Sequence, residues 1–471
     1  MTGSKTAMRW AITLPALLMS STAGYAQDAP VDLRDAIASA MTSNPEINQA
    51  EQNKQAVEFE RKQAQGQFLP RISVEGSAGV RRLENDTRRT LGIASQTLYP
   101  LEGDLLVDQP LFDSGARKAE LKRQVARTDG AAERVEERSQ FIALNVSRQY
   151  INYVLQQRIV AAADDNVMFH RSLVGDLREG VTKGSISIAD QQQAEERLQA
   201  AVARRVEAQE DLENAAIEFR TLTAMSITSV RMPPSLTAKL PPSLQESIAY
   251  ARVDSPKVRE AEADVSAAQS VIDGARAALG PTVSLEGRVR YGEDIDGFAG
   301  RTTDYQGRVV VRWTLFSGGI NQANVQEQIR RASEARFRLH QMQREAEAEA
   351  RSAWSRLQNQ TSLLAELETQ AKVSDDLLLS YREQFNVGRR SLLDVLDTQN
   401  TRYNVQIQRE TARFAQLFAQ YRLLAATNRL LDAIDVAAPA DAKADARAHF
   451  KMGPPAPAEL QRRIRPGYRA F

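Results

Sequence analysis

Asp394 and Asp397 stand three residues apart, and Arg390 stands four residues before the first of them. On a helix, i,i+3 spacing puts both carboxylates on one side, where they form an acidic face able to attract cations. Arg390 and Asp394 have the i,i+4 spacing of an intrahelical ion pair, worth roughly 0.3–0.5 kcal/mol when exposed. Other reactive chemistry is scarce. The chain has no cysteine, which removes thiolate nucleophiles, thiolate metal sites, disulfides and lipid attachment through a cysteine. His170, His340 and His449 are its only histidines and each is isolated, so neither imidazole metal spacing nor a Ser-His-Asp arrangement has support. There is no phosphate-cradling glycine loop. The many other acidic residues read as solvated helix flanks. Nothing here calls for a cofactor, a metal or an enzyme.

The 471 residues suffice for two or three domains, and 61 basic against 60 acidic residues leave no basic footprint for nucleic acid. At the N-terminus Lys5 and Arg9 precede an apolar run from Trp10 to Met19 and then Gly24-Tyr25-Ala26. This is the order of a secretory leader with a small-x-small cleavage site, so residues 1–26 read as a signal peptide and Gln27 as the mature start. No segment reaches the ~20 apolar residues that a membrane-spanning helix needs.

The chain repeats itself. Leu33, Ile37, Pro45 and Ile47 recur as Leu244, Ile248, Pro256 and Val258, at an offset of 256 − 45 = 211. Pro70 to Gly76 recurs at the same offset as Pro281 to Gly287. Further on, Gly115 matches Gly319 and Gly184 matches Gly388, now at 388 − 184 = 204. The missing seven residues fall between Gly76 and Leu111, which marks a tolerant loop, while the stretch from Gly115 to Gly184 is held to fixed length. Repeat 1 covers residues 27–225 and repeat 2 residues 244–436. A linker at 226–243, bracketed by Pro233-Pro234 and Pro241-Pro242, joins them. Residues 437–471, rich in Ala, Pro and Arg, read as a flexible tail.

Between Asn321 and Val387 there is neither proline nor glycine, and small or apolar residues recur in steps of three, four and seven. A helix of about 67 residues extends ~100 Å. Its remaining surface is Gln, Arg and Glu, so it must cross water with one narrow stripe packed on partners. The first copy, Ala116 to Lys183, holds Gly130, Gly175 and Gly180 and is expected to pack less regularly, each glycine costing ~1 kcal/mol against alanine. At Gly184 and Gly388 the pattern breaks, and Ser187 or Ser391 then caps a returning helix of roughly 40 residues.

The strands alternate. Ile72 to Arg81, Leu101 to Val107, Val283 to Tyr291 and Tyr305 to Leu315 each place apolar or small residues on one face and polar residues on the other. Arg288, Arg290, Arg308 and Arg312 on the polar faces suit a hydrated lumen, and Tyr291, Tyr305 and Trp313 suit a membrane-edge aromatic girdle. Four strands cannot close a barrel, since the smallest use about eight, so other copies must supply the rest.

A leader, two copies of short helix, strand pair, very long helix and returning helix, and the string Phe385-Asn386-Val387-Gly388-Arg389-Arg390-Ser391-Leu392-Leu393-Asp394-Val395-Leu396-Asp397 together resemble the TolC family of outer-membrane efflux proteins. The resemblance runs from Val31 to about Val436. It implies a mainly α fold with β: a transmembrane β-barrel of 12 strands from three chains, continued by a long α-helical coiled-coil tunnel into the periplasm. It further implies a homotrimer in outer-membrane lipid that exports small molecules, proteins or both. Its partners would be a periplasmic adaptor (membrane fusion) protein and an inner-membrane pump of ABC or RND type. The implied periplasmic gate comprises Asp190, Phe385, Arg390, Asp394 and Asp397, with Arg390 pairing to Asp190 and the aspartates ringing the constriction. Where the family's well-known gate has a tyrosine this chain has Phe385, which removes a hydroxyl. The tips at Val181, Gly184, Ser187, Val387, Gly388 and Ser391 are the expected adaptor-docking sites. The alternative from another class is a soluble periplasmic coiled-coil scaffold, which leaves the strand pairs unexplained.

Overall fold

The computed structural model describes residues 30–450. The expected leader lies outside the described residues, as does the end of the expected tail.

Two tandem copies of one unit make the chain. Each opens with a pair of short helices, α1 (Leu33–Ser43) and α2 (Pro45–Gly66) in the first copy, α6 (Leu244–Asp254) and α7 (Pro256–Ala277) in the second. The members match in length, 11 and 22 residues. A proline at the first position of α2 and of α7 forces the break between helices, since it restricts the preceding residue to extended backbone but starts a helix readily.

The strands follow. The first copy supplies β1 (Arg71–Ala78) and β4 (Leu101–Phe112), the second β5 (Thr282–Glu293) and β6 (Arg301–Arg312), joined as one antiparallel sheet in the order β1-β4-β5-β6. The inserted interval anticipated between Gly76 and Leu111 contains the two-residue strands β2 (Arg81–Arg82) and β3 (Thr97–Leu98) with a short helix, α3 (Asp86–Thr90). That insert is fastened to the corresponding loop of the second copy. Arg88, almost wholly buried, donates to the carbonyls of Gly297, Ile93 (2.7 Å) and Gln96 (3.0 Å).

The long helices are α4 (Ala116–Thr182) and α8 (Ile320–Asn386), both 67 residues, with returning helices α5 (Ile188–Thr223) and α9 (Leu392–Ala426) of 36 and 35 residues. The expected looseness of the first copy is overturned. α4 runs unbroken through its glycines and is the more buried of the two, packed against α1, α2, α5, α7 and α9, whereas α8 packs chiefly against α6, α7 and α9. Gly130 shows why. A Cβ there would stand 3.5 Å from the Ala263 Cβ of α7, ordinary van der Waals contact, so this glycine lies inside a packed helix–helix interface whose burial offsets the propensity cost.

The largest core lies where the two copies and the linker meet. The Tyr150 hydroxyl hydrogen-bonds the carbonyls of Val31 and Arg231, both at 2.7 Å, and the Tyr421 hydroxyl donates to the Pro234 carbonyl at 2.8 Å. Beside it a short helix, α10 (Leu430–Ala433), closes the second copy.

The tail differs from its sequence reading over the part described. Residues 437–450 lie against α2 and α4: Asp441 accepts from Lys54 Nζ (2.9 Å) and Gln55 Nε2 (2.8 Å), and Asp129 accepts from the backbone of Ala446 (2.7 Å) and Arg447 (3.1 Å). A buried carboxylate that needs donors outweighs the segment's lack of periodicity.

Candidate functional site

At the far end of the long helices the chain reverses twice by the same device. Gly184 and Gly388 carry φ of +73° and +74°, the left-handed conformation that glycine adopts without a Cβ penalty. Ser185 N–H donates to the Gly180 carbonyl and Gly184 N–H to that of Val181, both at 2.9 Å; Arg389 N–H donates to Gln384 (2.8 Å) and Gly388 N–H to Phe385 (2.9 Å). These paired bonds are Schellman motifs, which satisfy carbonyls that a helix end otherwise leaves open. Ser187 and Ser391 then cap α5 and α9, accepting from the N–H of Asp190 (3.1 Å) and Asp394 (3.2 Å). Val387 is exposed at the apex and Val181 half-buried.

Among the equivalent positions at which the two tips differ, the pair with the most different contacts is Ile186 and Arg390, 390 − 186 = 204 residues apart. Ile186 folds over Gly180, where a Cβ would come within 2.5 Å of its Cγ1. Arg390 instead lies across the Tyr381 ring at 4.0 Å, donates Nε to Gln384 Oε1 (3.3 Å), and holds Nη1 3.8 Å from Asp394 Oδ2. The stacked guanidinium is the stronger part of that arrangement, a cation over an aromatic face being worth roughly 0.5–1 kcal/mol at an exposed site.

Of the aspartates, Asp394 is occupied locally: its carboxylate accepts from Ser391 Oγ (2.8 Å) and N–H (3.3 Å), completing a capping box for α9. Asp190 does the equivalent at the first tip, accepting from Ser187 Oγ at 2.7 Å. Within the chain, therefore, Arg390 pairs with Asp394, and Asp190 is not among its partners. Asp397 is exposed and lies 3.8 Å from Arg197 Nη2 of α5. Phe385 is half-buried beneath the tip, packed with Leu173, Val174, Leu177, Leu392 and Leu396. Tyr381, one turn before it, is by spacing one more residue of the apolar stripe of α8, and nothing in the spacing of Arg197 or Ile186 marks them as part of the tips. The Schellman contact between the turn and the preceding helical turn was the available signal for Ile186.

At the opposite end the sheet has one apolar and one charged face. Ile72, Val74, Leu105, Tyr305, Val309 and Val311 are exposed on the first. The second carries ion pairs: Arg288 with Asp104 (2.7 Å) and Glu102 (3.2 Å), and Arg308 and Arg312 both with Glu286 (2.7 Å each). No helix among the described residues is long and apolar enough to cross a membrane.

A coiled α-helical hairpin pair below a small sheet with a greasy outer face is the arrangement of a channel-tunnel. The chain belongs to the outer membrane efflux protein family, which it matches over residues 36–224 and 248–429. That family consists of outer-membrane efflux proteins rather than enzymes, and the membership sets the scaffold alternative aside. It is 26% identical over 284 residues to the outer membrane efflux protein BepC of Brucella suis biovar 1 (strain 1330), a match covering 60% of this chain and 62% of BepC. The fold is similar to that of the CmeC outer membrane channel of Campylobacter jejuni (TM-score 0.73, 15% identity, 84% of this chain and 86% of that one). It is likewise similar to the MtrE outer membrane channel of Neisseria gonorrhoeae in its open state (TM-score 0.72, 18% identity, 85% and 89%).

Proposed function

We propose that three copies assemble into one duct, a 12-stranded barrel in the outer membrane opening into a helical tunnel that crosses the periplasm. The tips dock a periplasmic adaptor and, through it, an inner-membrane ABC or RND-type pump that drives small molecules or proteins outward. One observation carries this reading: a sheet of only four strands leaves β1 and β6 unpaired while exposing a band of apolar side chains, Ile72, Val74, Leu105, Tyr305, Val309 and Val311, on one face. Unpaired backbone cannot face lipid, so such a sheet is stable in a membrane only as part of a closed barrel. The charged face then lines a wet lumen. In the same reading α8, less covered than α4, packs against neighbouring copies.

Asp190, Phe385, Arg390, Asp394 and Asp397 form the periplasmic gate in this scheme. Arg390, stacked on Tyr381, is the residue poised to exchange its Asp394 contact for a carboxylate such as Asp190 of an adjacent copy. The soluble scaffold reading leaves the exposed apolar sheet without a partner. Mass measurement in detergent, combined with conductance in a planar bilayer, tests the duct: three chains and a conducting pore are expected, and a conducting monomer overturns the barrel argument.

A further inference from the structure

The stretch of α4 nearest the sheet, Ala116 to Arg127, carries Arg117, Lys118, Lys122, Arg123 and Arg127 against a single acid, Glu120. Its arginines are engaged: Arg117 with Asp113 (2.7 Å), Arg123 with Glu120 (2.8 Å) and Arg127 with Glu60. Lys118 and Lys122 are exposed, one turn apart on one face, and neither has an ion-pair partner among the described residues. The next acid along that face, Asp129, is taken by Arg447 at 2.6 Å. Helix packing does not call for lysine here, because the equivalent positions of the second repeat, 204 residues on, are Gln322 and Gln326.

Residues 437–450 lead the chain to the same place. They reach α2 at Lys54, α4 at Asp129 and α7 at Ser266, and Phe450 packs with Leu121, Val125 and Phe68, just before the start of β1. Since α4 runs away from the sheet, the segment climbs toward it. Beyond Phe450, outside the described residues, the sequence holds Lys451, Arg462, Arg463, Arg465 and Arg469 with one acid, Glu459. Added bases cannot pair with unpaired lysines, so the partner of this surface is an external anion. Within a protomer α4 is flanked by α2 and α7, which leaves it an inward and an outward face. A segment laid over three wall helices of every protomer leaves a duct open only from outside.

The level is that of a bilayer surface. Leu111, Phe112, Trp313, Leu315 and Phe316 are exposed at the foot of the strands, and Lys118 and Lys122 lie about 3 and 9 Å past the start of α4 at 1.5 Å per residue. Both fall within about one Debye length of headgroups at that level. Lys122 also borders a pocket of about 300 Å³ shared with Ser270, Arg447 and Phe450.

We infer that Lys118 and Lys122, together with the basic residues that follow Phe450, bind anionic phospholipid headgroups of the periplasmic leaflet around the foot of the barrel. This rests on the barrel proposed above. The apolar belt sets the depth and the ammonium groups hold phosphodiester charge, each basic side chain strengthening association with an acidic surface about fivefold.

Trp313 reads out these lipids. Of the three tryptophans, Trp10 belongs to the expected leader, and Trp354 stands 354 − 320 = 34 residues along α8, about 50 Å from its start. Trp313 is exposed and donates to the Leu279 carbonyl (3.1 Å) just past α7, which meets α4 where Gly274 lies against Ala119. The full-length protein is reconstituted in vesicles containing brominated phosphatidylglycerol or brominated phosphatidylcholine, and quenching gives the relative affinity of the two headgroups beside Trp313. A several-fold preference for phosphatidylglycerol is expected. Lys118→Gln with Lys122→Gln should reduce it, as should Arg462→Gln, Arg463→Gln and Arg465→Gln combined, with the detergent mass unchanged. Equal quenching by both lipids in the parent, or an unchanged preference in either variant, overturns the inference and leaves the barrel standing. Loss of the preference on adding excess soluble glycerol phosphate identifies a free-phosphate site rather than a lipid surface and overturns it as well. Absence of quenching by either lipid takes Trp313 out of the bilayer and overturns the barrel reading itself.

Discussion

Gly184 and Gly388 hold the same left-handed backbone 204 residues apart, and a Cβ on either would meet nothing within 4 Å. The constraint at both is therefore conformational rather than steric. An ordinary L-residue in this region costs roughly 1–2 kcal/mol, and asparagine less. Gly388→Val is expected to strain the turn by about that amount and, by placing bulk at the apex, to stop export while the detergent mass stays trimeric. Gly388→Asn should leave both close to the parent. Normal export from Gly184→Val and Gly388→Val alike would remove the tips as the docking site.

His170 supplies a pH dependence. It is 5% exposed within α4, its Nδ1 has no hydrogen-bond partner, and it lies near Arg197 and Arg204 of α5. From α9, Gln399 donates to Asn166 Oδ1 at 2.8 Å, one turn before His170, and Asp397 lies 3.8 Å from the Arg197 guanidinium. Burial first, then the two guanidiniums, push the imidazole down to about 4. An unfolded histidine titrates near 6.5, so between those values the unfolded chain binds the extra proton. The stabilisation is complete above about pH 6.5 and is lost as pH falls through about 4. Glu133, pushed up to about 7 by burial, works in the opposite sense over an overlapping window, so only a difference isolates His170. Melting temperature at pH 7 and pH 4.5 should fall more in the parent than in His170→Leu; equal falls reject the assignment.

Asp129 is 2% exposed in α4 and gathers Ala446 N–H, Arg447 N–H and Arg447 Nε at 2.7, 3.1 and 2.6 Å. Hydrogen bonds to a charged group contribute about 1.5–3 kcal/mol each, so this buried carboxylate, with three of them, is a principal attachment of residues 437–450. Asp129→Ala should release the segment and speed tryptic cleavage at Lys443 and Arg447 without changing cleavage before residue 437. An unchanged digestion pattern means that the Lys54–Asp441 pair at 2.9 Å holds the segment by itself.

Much of this architecture was legible because long-range order here is built from local signals. Fixed offsets between Pro45 and Pro256, and between Gly184 and Gly388, expose the duplication, and the uninterrupted heptad stripe after Asn321 gives α8 to within one residue. What could not be read was which helix would lie inside. Gly130 looks like a weakness in a one-dimensional pattern, and only the nearness of Ala263 reveals it as a contact. Likewise Tyr381 reads as one more apolar position until Arg390 is seen lying on it, because stacking depends on side-chain direction at a turn and not on spacing along a helix.

The aspartate pair is best tested with its local roles kept in view. Asp394 is the third residue of the capping box of α9, accepting from the backbone and hydroxyl of the Ser391 cap, so alanine there would confuse lost charge with a frayed tip. Asparagine caps without charge. In the proposed trimer Asp394 and Asp397 would place six carboxylates about the axis, where they would attract cations, above all divalent ones. Arg390 and Arg197, each 3.8 Å from one of them, offset part of that field, by at most ~1 kcal/mol per wet pair. In planar bilayers, Asp394→Asn with Asp397→Asn should weaken both cation preference and divalent block, while Arg197→Ala strengthens them. Arg390→Ala should raise single-channel conductance, since it removes the guanidinium that spans Tyr381 and Asp394. Arg390→Lys should fall between, keeping the charge but losing the planar stack. If the double asparagine variant retains the parent's selectivity and block, the constriction lies elsewhere along the tunnel and the two carboxylates serve only to cap and solvate α9.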